Sequence, residues 1–61
     1  MATFYVLYDE FTRTFVRAGW AGGHTLSLND AKHFTSKWSA ENFRAKGYLL
    51  SHMIVKKIVL Q

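Results

Sequence analysis

The chain has 61 residues, no cysteine, and eight Lys and Arg against four Asp and Glu, a net charge of +4. That length allows one domain, residues 1–61, which buries only about 60% of the surface its unfolded form exposes, and the missing cysteines exclude disulfides and thiolate-bound zinc or iron–sulfur centres. At 49% apolar and 16% aromatic the chain is too rich for a disordered tail, yet no apolar run approaches the roughly 18 residues of a membrane span and no signal-peptide pattern opens it. The expectation is a compact soluble domain of a reducing compartment.

Residues 3–8 (TFYVLY) form an aromatic, β-branched run with strong strand preference. Alternation places Phe4, Val6 and Tyr8 on one face and Tyr5 and Leu7 on the other. Polar residues at 9–12 interrupt the run, and residues 14–17 (TFVR) resume it, which reads as a hairpin with a four- or five-residue connection. Residues 18–23 (AGWAGG) hold three of the four glycines around Trp20 and read as a bend or loop. Residues 24–28 allow a short extended piece, and residues 29–32 (NDAK) read as one helical turn capped by Asn29 or Asp30.

The one full helix is predicted over residues 37–46, with Ser36 or Thr35 as N-cap and Gly47 as the residue that ends it. Ala40 and Phe43 share its inner face, while Arg44 and Lys46 suit the negative end of the helix dipole. Residues 53–60 (MIVKKIVL) are the last strand, and with Lys56 and Lys57 adjacent neither face is wholly polar. Either a bulge falls near the lysine pair, or both faces are partly covered. The assembled expectation is an α+β fold of order β-β-α-β: a three-stranded antiparallel sheet, one helix on one face, and a short extra helical turn before the helix. A single helix leaves the opposite face, with Phe4 or Tyr5 and their neighbours, exposed as a contact surface.

The pieces YVLYD at 5–9, TFV at 14–16, LNDAKHFTSKWSAENF at 28–43 and IVKKIVL at 54–60 resemble, over nearly the full length, the small β-β-α-β proteins encoded by bacteriophages and prophages. The chain departs from that pattern at Trp38 and Ser39, where acidic residues are usual. The resemblance implies an accessory phage product of the host bacterial cytoplasm. Several such products inhibit host machinery or host defence stoichiometrically, anti-CRISPR proteins among them.

The site readings follow from residue types. His24, His33, His52, Asp9, Asp30 and Glu41 fall into no nucleophile-elbow, phosphate-loop or paired-histidine metal pattern, so no enzyme, no cofactor and no metal is expected. The spacing of Asp30 and His33 fits a hydrogen bond or cap. Protein contact ranks first: Trp20 and Trp38 are the anchors, joined by Tyr5 and Tyr8, with Arg13, Arg17 and Arg44 as a charged rim. The partner expected is a bacterial protein or protein–nucleic-acid complex, with no membrane involved. Two alternatives stay open. Tyr5, Tyr8, Phe15 and Trp20 beside Arg13 and Arg17 could stack nucleic-acid bases, and two copies could pair through open faces or edge strands as a homodimer.

Overall fold

The computed structural model describes residues 2–19 and 22–61. Strands β1 (Ala2–Asp9), β2 (Thr14–Val16), β3 (His24–Thr25) and β4 (Ile54–Leu60) form one sheet in the order β3-β2-β1-β4, antiparallel throughout. The helix α1 (Lys37–Lys46) packs against β1 and β4. The α+β class with a single α-helix is as expected, but the sheet has four strands rather than three. The added strand is the two-residue β3. Gly22 and Gly23, at φ 71° and 98°, turn the chain back so that Arg17 N–H reaches the Gly23 carbonyl at 2.9 Å and His24 pairs with Val16. Among the described residues no helix is long and apolar enough to cross a membrane.

β1 is the centre of the molecule. Val6 and Leu7 are consecutive, point to opposite faces, and are both fully buried. On the helix side Leu7, Val16, Phe34, Ala40 and Met53 make the core, with Tyr5, Leu50 and Val55 packed against it. Ala40 is fully buried where the helix meets the sheet. Along one edge β1 pairs with β4 in unbroken register from Ala2↔Leu60 to Tyr8↔Ile54, so the strand holds no bulge at Lys56-Lys57. The other edge is shared. β2 covers only Tyr8 and Asp9, and the strands then splay. Residues 31–34 fill the wedge: Tyr5 and Phe34 exchange two backbone hydrogen bonds of 2.8 Å, and Lys32 N–H donates to the Val16 carbonyl at 2.9 Å.

Local signals were met to different degrees. The Ser36 hydroxyl accepts from the Ser39 N–H at 3.1 Å and so caps α1 as expected. The earlier turn is a 3-10 turn at Leu28–Asp30, entered from Ser27 with no side-chain cap, so neither Asn29 nor Asp30 plays the capping role. Gly47 ends α1 but at φ −101°, outside the left-handed region, because the chain runs straight on into a second 3-10 turn, Tyr48–Leu50. A Cβ there would lie 2.7 Å from Leu50 Cδ1, so a side chain at this position would require the Leu50 tip to shift.

The β1–β2 connection at residues 10–13 is held by Asp9. Its Oδ1 accepts from the N–H groups of Phe11 (2.9 Å) and Thr12 (3.3 Å), and Oδ2 lies 2.9 Å from Nε2 of His52 just before β4. The contact is an ion pair whenever the imidazole carries its proton. The His52 hydrogen bond, opposed by burial and helped by the two backbone donors, lowers the Asp9 carboxyl from 3.8 to about 2. A lowered native value means this carboxylate stabilises the fold fully above its ordinary range, and that stabilisation is lost as pH falls from near 4 through about 2. Urea-unfolding midpoints measured between about pH 5 and 2 should therefore drop steeply for the natural protein and less so for Asp9→Asn, which starts lower. Arg13 closes the same turn at φ 59°, and its N–H reaches the Asp9 carbonyl at 2.7 Å. A left-handed non-glycine residue is strained, so Arg13→Gly should raise the unfolding free energy by about 0.5–1 kcal/mol in the same assay.

Candidate interaction surface

The face of the sheet away from α1 carries Phe4, Val6 and Tyr8 from β1, Phe15 from β2, and Ile54, Lys56 and Ile58 from β4. This is the face expected to present bare rings. Instead it is roofed. The imidazole of His33 stacks on Phe4 with centroids 3.9 Å apart and planes at 22°. The His33 Nε2–H donates to the Leu28 carbonyl at 2.9 Å, which fixes the ring in place. The ammonium of Lys56 stands 4.3 Å above the centroid of Tyr8, whose other neighbour is Phe15 at 5.2 Å. Lys56 faces Val6 in register, and Phe4 and Tyr8 stand on either side of that fully buried valine along the same face of β1. Arg17 extends the β2 line on the same side and is exposed. Lys56, Arg17 and His33 are exposed on this face, with Leu60 exposed at its far end opposite Ala2, and no strand position on it bears a carboxylate.

The residues proposed as anchors do not converge. Tyr8 and Arg17 lie on this roofed face, whereas Tyr5 turns to the helix side, opposite Phe34, and packs on the core. Its expected exposure is corrected by the alternation of β1, which also makes Leu7 a core residue. Arg13 is in the β1–β2 turn. Arg44 donates from Nη1 to the Met53 carbonyl at 3.1 Å, fastening α1 to the start of β4. Trp38 projects from the first turn of α1 and is 72% exposed; Trp20 lies outside the described residues. Phe11, Leu26 and Leu49 are the other strongly exposed apolar side chains, each on a different connection.

Basic residues stand on both sides of the sheet: Arg17 and Lys56 on the roofed face, Lys32, Arg44 and Lys57 on the helix side. Among the described residues the only ion-pair contact is His52–Asp9, and no Lys or Arg comes within 4.0 Å of a carboxylate. Lys32 instead lies over the rings of Phe34 and Phe43, at 5.6 and 5.3 Å. His33, three residues after Asp30, gives its hydrogen bond to the Leu28 carbonyl and not to Asp30. Among the described residues no three His, Asp or Glu side chains are grouped to hold a metal, and there is no cavity. The residues that sequence reasoning missed here are Lys56 and His33. Lys56 was within reach: strand alternation puts it on the Tyr8 face, and only the register with β1 was needed to seat it over that ring.

Comparison of the chain with protein-family models, with curated proteins and with solved structures finds no match.

Proposed function

We propose that this is a non-enzymatic accessory protein of the phage type, which inhibits a bacterial host or defence factor by occupying an acidic surface on it. The observation that supports this reading is the roofed sheet face, where Lys56, Arg17 and His33 are exposed with no carboxylate among the strand positions. A face so arranged is complementary to clustered Asp and Glu and steers their approach. A lysine held over Tyr8 has already lost part of its side-chain freedom, which lowers the cost of engaging an anion. The resemblance to small phage products supplies the biological setting and the expectation of an anti-CRISPR-like role.

The same cationic layer favours a second reading, a small basic protein that contacts nucleic-acid phosphates. Base stacking is the weaker form of it, because His33 and Lys56 already cover the rings of Phe4 and Tyr8. Salt separates the two. Fluorescence anisotropy with labelled single- and double-stranded oligonucleotides should show no association at physiological salt, while a pull-down from bacterial lysate retains a protein that the Arg17→Glu/Lys56→Glu variant loses. An oligonucleotide affinity that persists at that salt and falls log-linearly as salt rises, with a slope near 0.9 per phosphate contacted, would replace the first reading by the second.

A further inference from the structure

We infer that the outer edge of β4 takes an extended acidic segment of a partner protein as a fifth strand. The inference deepens the proposed function and rests on its reading of an acidic protein partner.

β4 is last in the sheet order, and all seven of its residues pair with β1 on one side. Its other side therefore presents alternate backbone N–H and C=O groups along the whole strand, and among the described residues nothing pairs with them. The opposite edge of the sheet, β3, is two residues long and offers no comparable template. A seven-residue β-branched edge invites strand addition, and the side chains at its centre decide which strand is admitted. Here the centre is Lys56-Lys57, both exposed. As neighbours in a strand they point to opposite faces, one towards the Tyr8 side and one towards the helix side.

That pair works against a second copy. Antiparallel self-pairing about the middle of β4 brings Lys56 and Lys57 opposite one another or themselves, and like charges directly across a ladder repel. It works in favour of a strand with carboxylates at two successive positions, one for each lysine. Val55 and Val59, the latter 43% exposed, flank Lys57 on the helix side. The preferred segment is therefore extended, with two adjacent acidic residues between short apolar stretches.

The test uses the full chain labelled with nitrogen-15 and a synthetic peptide in which two adjacent glutamates are flanked by valine–threonine pairs. Its counterpart has lysines in place of the glutamates. The expected result is amide shifts and slowed hydrogen exchange at alternate residues of β4 with the acidic peptide, bound about tenfold more tightly than the basic one. Lys56→Glu/Lys57→Glu should reverse that preference; should this variant not fold, the contrast between the two peptides on the natural chain decides alone. Shifts confined to Arg17, His33 and their neighbours would overturn the edge assignment and leave the acidic-partner reading standing. Absence of shifts with the peptides and also with polyglutamate would overturn both. Protection of β4 that grows with protein concentration and needs no peptide, or that a single-stranded oligonucleotide produces, would likewise overturn it in favour of a second copy or of nucleic acid.

Discussion

Burying one strand on both faces, within 61 residues, is the constraint on which this structure depends. Val6 and Leu7 are adjacent and both are fully buried, so β1 needs cover above and below. A chain this short has one helix to give, and α1 with Phe34 and Met53 covers the Leu7 side. The Val6 side is closed without a second helix: Phe4, Tyr8 and Lys56 line it, His33 is laid over Phe4, and buried Ala31 pairs with Arg17 at its edge. Side chains and the segment 31–34 thus take the place of a second helix.

The solution has an electrostatic result. Groups that can shield rings while remaining wetted are cationic or aromatic-polar, so a face roofed in this manner becomes positive at its outer surface. Lys56 joins the two: it is exposed, stands across from buried Val6 and holds its ammonium over the Tyr8 ring. The same strand then supplies a second lysine to the opposite face, and the whole β4 edge acquires a basic midpoint between aliphatic ends.

Much of the architecture was legible from local chemistry. Ser36 as a cap, the length of α1, the hairpin with its four-residue connection and the position of β4 all follow from residue preference and period. What escaped was non-local. Residues 31–34 look like the tail of a helical turn, yet they serve as the missing edge partner of β1, because β1 and β2 splay beyond Tyr8 and leave Tyr5 unpaired. No pattern within that segment announces this; it is dictated by the empty hydrogen-bonding groups of another strand. The Asp9–His52 contact is hidden for the same reason, joining residues that only the β1–β4 register brings together. Gly47 ends α1 as its position suggests, but with an extended backbone that leads into the next 3-10 turn, which no local signal marks. The candidate site shows the same division: Tyr8 and Arg17 fell on one face through alternation, while Tyr5 and Arg44 were claimed by the core and by a backbone carbonyl.

The register that matches Ala2 with Leu60 also governs how this molecule acquires its shape. The central strand obtains its longest partner only when residues from opposite extremes of the sequence meet, and closing so wide a loop costs chain entropy before any pairing compensates for it. Refolding from denaturant should accordingly run slowly for so small a molecule, nearer the pace of sheet proteins than of helical bundles of equal size. Until that encounter, the aliphatic flanks of β1 and β4 remain open to collision with other chains.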